Sequence, residues 1–118
     1  MSSCVFCQIA DGHVRADMRL DTGTVMVFTP LNPVTEGHVL VVPRTHVQDF
    51  KESAWATTEA AWVAAIYADL VGLGDANLIT SSGRAATQTV DHLHFHIVPR
   101  REGDGLPLPW TPQQEAAR

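Results

Sequence analysis

Three histidines alternate with apolar residues in His92-Leu93-His94-Phe95-His96-Ile97-Val98-Pro99. Successive side chains of an extended chain point to opposite faces. His92, His94 and His96 therefore share one face, and Leu93, Phe95 and Ile97 share the other. The apolar set predicts a core face, which leaves the histidines lining a cleft. Two chemistries suit such a row: histidines at i and i+2 can bind a catalytic metal, or one imidazole can act as a nucleophile beside helpers. Spacing leaves both open, next to the plain alternative of a solvated polar face. The other pair of interest is Cys4 and Cys7. A disulfide across so short a loop would stabilise little. In a cytosolic chain, C-x-x-C reads as half a metal site or as a redox pair.

The elements that must carry these groups are short. Val5 to Ala10 reads as a helical turn ended by Asp11-Gly12. Arg19 to Asp21 and Val25 to Phe28 flank Thr22-Gly23-Thr24, a hairpin with a glycine turn. Pro30-Leu31-Asn32-Pro33 interrupts regular structure, and His38 to Val42 is a strand stopped by Pro43. A main helix follows. Trp55, Trp62, Ile66, Leu70 and Leu73 recur at helical spacing, and Val63, Tyr67 and Val71 widen the stripe. This stripe predicts the buried face, part of it meeting a partner subunit. Asn77 to Thr80 is a short strand, and Thr89 to Val98 is the last one. The proline-bearing tail from Arg100 is expected to be extended. Short strands joined by tight turns, with one main helix, give an α+β domain with an antiparallel sheet.

A length of 118 residues suits one domain and buries a core without staples. The formal net charge of −5 disfavours binding to a nucleic acid polymer. No apolar run approaches the roughly 18 residues of a membrane span. The start, Met-Ser-Ser-Cys-Val-Phe-Cys, lacks the basic and apolar regions of a secretory signal, so a cytoplasmic address is expected.

The block His92 to Pro99 resembles the signature of the histidine triad family. Two upstream blocks resemble it too: Pro33-Val34-Thr35-Glu36-Gly37-His38-Val39-Leu40-Val41-Val42-Pro43-Arg44-Thr45-His46, and Cys4-Val5-Phe6-Cys7-Gln8-Ile9. The resemblance implies a single domain over 1–118 with a core of about 4–110 and a C-terminal tail of about 111–118. It implies a HIT-like fold of about five antiparallel strands, with the sheet extended across a homodimer. The activity implied is hydrolysis at the α-phosphate of a nucleoside phosphoramidate or a dinucleoside polyphosphate, through a covalent nucleotidyl-histidine. Transfer of the nucleotidyl group to another acceptor, and a nucleotide-binding module with weak catalysis, are the alternatives.

By the same resemblance His94 is the nucleophile and the carbonyl of His92 orients it. His96 is a donor to phosphate, and His38 is a partner near the triad. Gln88 and Thr89 hold phosphate oxygens. Phe6, Ile9, Phe28 and Leu31 contact the base and ribose, Asn32 replaces the acid missing at Pro30 in holding the ribose hydroxyls only if the loop turns differently, and Trp110 approaches the partner's site. Cys4, Cys7, His46 and His92 hold a structural zinc, which disfavours a catalytic one. The substrate is a small purine nucleotide, adenosine by preference. Pro30, Ser81 and Thr87 depart from the pattern, where an acid, an Asn and a Gly are usual.

Overall fold

The computed structural model describes residues 2–116. The elements in chain order are α1 (Val5–Ala10), β1 (Asp17–Asp21), β2 (Val25–Thr29), β3 (Val39–Pro43), α2 (Ala54–Leu70), β4 (Ala76–Thr80), a 3-10 turn (Arg84–Ala86), β5 (Phe95–Pro99) and α3 (Thr111–Ala116). All strands pair antiparallel in one sheet of order β1-β2-β3-β5-β4. The expected five-stranded sheet with one main helix is therefore present. Among the described residues no helix is long and apolar enough to cross a membrane.

The strand sequences explain the order. Val25-Met26-Val27-Phe28 and Val39-Leu40-Val41-Val42 are apolar at every position and are buried throughout. Strands covered on both faces read this way, and they take the centre of the sheet. The β1 and β4 strands mix polar and apolar residues and lie at the edges. The β1–β2 turn uses Gly23 at φ 92, a left-handed value that favours glycine. Gly37 has φ 88, and a Cβ there would come 3.1 Å from Cγ of Pro99. This close approach sets the entry of β3 and the position of the neighbouring His38.

Side-chain alternation divides the core in two. Val25, Val27, Val39, Val41, Leu93, Phe95 and Ile97 pack on the α2 side. Met26, Phe28, Leu40 and Val42 pack with Phe6 on the α1 side. The register places His96 opposite Leu40 and Ile79.

The helix corrects one expectation. Its buried face is Ala56, Ala60, Val63 and Ala64, whereas Trp55, Trp62 and Leu70 are 78%, 66% and 69% exposed. Small side chains let the helix axis come close to a sheet already filled by valines. The large residues are left on an outer flank. Ser53 caps the helix, its hydroxyl accepting from the backbone N–H of Ala56 at 3.0 Å. Two further boundaries differ from the sequence reading. Regular β pairing begins at Phe95 rather than Thr89, and the expected extended tail ends in helix α3. The tail is anchored at its root. Arg100 makes two bonds to the carboxylate of Asp104, at 2.9 and 3.1 Å, and donates to Oδ1 of Asn77 at 2.7 Å. This arrangement holds the Asp104 carboxyl well below the usual carboxylate range.

Candidate active site

Cys4 is the N-cap of α1 and Cys7 lies one turn later, so both thiols leave the helix on the same side. They meet His46, beyond the end of β3, and His92, before the start of β5. The four donor atoms lie within 4.8 Å of one another. Cys4 Sγ is 3.4 Å from His92 Nδ1, Cys7 Sγ is 3.3 Å from His46 Nδ1, and the two Nδ1 atoms are 3.1 Å apart. Around a tetrahedral zinc, with bonds of roughly 2.0 Å to nitrogen and 2.3 Å to sulfur, neighbouring donors stand about 3.3–3.8 Å apart. The donor set thus fits a tetrahedral divalent metal in chemistry and in spacing. His92 supports this fit independently. Its Nε2 lies 2.7 Å from the carbonyl oxygen of Pro43, so Nε2 carries the proton and Nδ1 offers a lone pair to the cluster. Burial pushes the His92 pKa down. Two thiolates and two imidazoles leave no position open for water.

The main chain fixes the tautomer of His94 in the opposite sense. Its Nδ1 lies 2.8 Å from the carbonyl oxygen of His92, which can only accept, so the proton sits on Nδ1 and Nε2 holds the lone pair. The hydroxyl of Thr80, on β4, donates to the carbonyl of His94 at 2.7 Å and secures its backbone. Sequence reading missed Thr80. Its only signal is the β4–β5 register, which places it opposite Phe95.

A second chain of bonds fixes His96. The backbone N–H of Val34 donates to Nδ1 of His38 at 3.1 Å, so the His38 proton is on Nε2. Nε2 of His38 is 3.0 Å from Nδ1 of His96, which must accept. The His96 proton is therefore on Nε2. Its ring stands 5.1 Å from the ring of His94, centroid to centroid. Burial lowers the pKa values of His38, His94 and His96, the last to about 4. The rings are neutral near pH 7, as this bonding pattern requires.

Phe6 packs against the histidine row. Its ring is edge-on to His94 at 5.1 Å and to Phe28 at 5.8 Å. Phe6 and Phe28 are both buried, at 5% and 3% exposure, and Ile9 packs against their cluster. Leu31 is 98% exposed on the loop after β2, with no place in either core cluster. Asn32 is exposed on the same loop, and Trp110 is half exposed at the start of α3.

Gln88 was expected to face phosphate, and its side chain is instead consumed internally. Nε2 donates to the carbonyls of Gln48 and Val90 at 2.7 and 3.0 Å, and Oε1 accepts from the Gly83 N–H at 2.9 Å. Its backbone N–H bonds the Gly83 carbonyl at 3.1 Å. Gln88 therefore shapes the 83–90 loop and leaves the exposed Thr89 as the polar group facing outward. Thr87 sits at φ 70, a strained conformation for a β-branched residue.

Comparison with known proteins extends this picture. The chain is 31% identical over 117 residues to the adenosine 5'-monophosphoramidase of Saccharomyces cerevisiae, covering 96% of this chain and 73% of the yeast protein. Its structure is similar to a HIT family hydrolase from Clostridium thermocellum (TM-score 0.81, 29% identity, 92% and 98% of the two chains). It is also similar to a Zn-bound histidine triad family protein from Mycobacterium smegmatis (TM-score 0.80, 29% identity, 98% of each chain). The profile of the HIT domain matches residues 12–103, and the alternating histidines lie inside that span. The chain belongs to the histidine triad family.

Proposed function

We propose that this protein hydrolyses small purine nucleotides at the α-phosphate, with a nucleoside phosphoramidate or a dinucleoside polyphosphate as substrate and adenosine as the preferred nucleoside. The observation that carries the reading is the bond from His94 Nδ1 to the His92 carbonyl, which leaves an unprotonated Nε2 on a half-buried ring. In the first step this nitrogen bonds to phosphorus, while the bond from phosphorus to the leaving group breaks. The leaving group keeps the electron pair and takes up a proton. In the second step the oxygen of water bonds to phosphorus, the N–P bond breaks, and its electron pair returns to Nε2 as water gives up a proton. Covalent catalysis of this kind divides one hard displacement into two easier ones. The Nε2–H of His96 donates to a phosphoryl oxygen, where transition-state charge collects. Thr89 offers a further polar contact, and Phe6 and Ile9 bound the base and ribose. The yeast relative's activity agrees with this assignment.

A structural zinc on Cys4, Cys7, His46 and His92 completes the reading; when bound, it supplies a crosslink between α1, the end of β3 and the segment entering β5. The protein also acts as a homodimer through the β4 edge. Leu78 is half exposed there, beside a cavity of 160 Å³ lined by Ala61, Ala65, Ala68 and Leu73. The other edge, β1, carries the charged Asp17 and Arg19 and a register irregularity, both of which discourage pairing.

The test is to mix the protein with an adenosine phosphoramidate, quench with denaturant during turnover and analyse peptides by mass spectrometry. One adenylate on the peptide containing His94 is expected. Steady turnover without such an adduct overturns the mechanism.

A further inference from the structure

The helix that carries the two cysteines also carries the aromatic ring packed against His94. Phe6 lies between Cys4 and Cys7, and its ring stands 5.1 Å from His94 at 76° and 5.6 Å from His92 at 83°. Six residues are far too few for a helix to persist alone in water. No strand pairs with α1 among the described residues. Its ties are the burial of Phe6, 5% exposed, in the cluster of Met26, Phe28, Leu40 and Val42, the packing of Cys4, Ile9 and Ala10 against that cluster, a bond of 2.7 Å from Arg44 to the carbonyl of Ala10, and the thiol–imidazole cluster. One imidazole of that cluster belongs to His92, whose carbonyl orients His94.

We propose that the Cys4–Cys7–His46–His92 set, loaded with its metal, is the device that holds Phe6 edge-on against His94, so metal occupancy governs nucleotide binding through this one aromatic ring. Phe6 is thus a nucleotide-binding residue whose placement depends on the metal. The claim rests on the nucleotide reading of the cleft.

The experiment compares zinc-loaded protein with protein stripped by chelator under reducing conditions, for the native chain, Phe6→Ala and Phe6→Leu. Three quantities are read: nuclear Overhauser contacts between the rings at 6 and 94, amide protection of the sheet, and calorimetric affinity for adenosine monophosphate. Stripping the native chain is expected to erase the ring contacts and weaken binding by about tenfold, the scale of one aromatic contact. The sheet amides should stay protected. Loaded Phe6→Ala should bind equally weakly, and stripping it should add little, because two changes acting through one contact are not additive. Loaded Phe6→Leu should recover part of the affinity.

Ring contacts that survive stripping overturn the proposal. So does a full further loss when Phe6→Ala is stripped, since the metal would then act by another route. Loss of the sheet amides along with the metal overturns it too, because the metal would be holding the whole fold and not one ring. If the loaded native chain binds no adenosine monophosphate, the nucleotide reading fails; the ring contacts then judge the coupling separately.

Discussion

The carbonyl oxygen of His92 lies 2.8 Å from Nδ1 of His94, while the ring of His92 turns away, with Nε2 toward Pro43 and Nδ1 toward the cysteines. One residue thus serves two sites, its ring for the donor cluster and its main chain for the neighbouring imidazole. His94→Ala removes the only ring this carbonyl orients. It is expected to lower phosphoramidate turnover at least about a thousandfold, the scale of losing a nucleophile. Circular dichroism and zinc content should not change. Near-native turnover by this variant sinks the role of His94.

The bond between His38 and His96 allows a subtler test. His38→Leu leaves Nδ1 of His96 without its donor, so the proton is free to occupy either ring nitrogen. The variant should lose about a hundredfold in kcat, the low end of proton-donor effects, with KM little changed. Nitrogen NMR should report mixed tautomers at His96. A loss confined to KM contradicts the assigned role.

Stability should fall on acidification. An unfolded histidine titrates near 6.5, whereas burial lowers His96 to about 4 and depresses His38 as well. Between these values the unfolded chain binds protons that the folded chain refuses, so acid favours unfolding. The contribution of His96 is constant above about pH 6.5 and is lost progressively toward pH 4. Thermal melts from pH 7.5 to 4.5 should show the decline, and it should be shallower in the His38→Gln, His96→Gln double variant. Equal slopes in both proteins would place the titration elsewhere.

Gln88→Leu keeps most of the side-chain volume but removes three hydrogen bonds. The Gly83 N–H and the Gln48 carbonyl then lose their partners, while the Val90 carbonyl keeps the His92 N–H at 2.9 Å. A typical intramolecular hydrogen bond contributes about 0.5–1.5 kcal/mol, so a loss of about 2 kcal/mol is expected from urea unfolding. A neutral substitution means the loop is held by other contacts.

Leu78→Asp puts a charge on the β4 edge beside the alanine-lined cavity. Sedimentation should show dimer for the native chain and monomer for the variant. A variant that remains dimeric places the interface elsewhere, and a monomeric native chain removes the dimer from the account.

The local grammar of the chain determined a good deal. Two apolar runs marked strands, Gly23 marked a hairpin, and the alternation at residues 93, 95 and 97 assigned those side chains to the core. Cys4 and Cys7, one helical turn apart, already formed half of a ligand set. Period and spacing are properties of the backbone, so they are legible before folding. The choice between the two faces of α2 was not legible. Hydrophobicity favoured Trp55, Trp62 and Leu70, but the close approach of helix to sheet selected Ala56, Ala60 and Ala64, because packing depends on volume as well as polarity. Nor could sequence decide which nitrogen of each imidazole holds the proton. That depended on acceptors and donors brought in from afar, namely the carbonyl of Pro43 for His92, the N–H of Val34 for His38 and, through it, His96. A side chain's type fixes what it can donate or accept, and only its folded neighbours fix which of these it does.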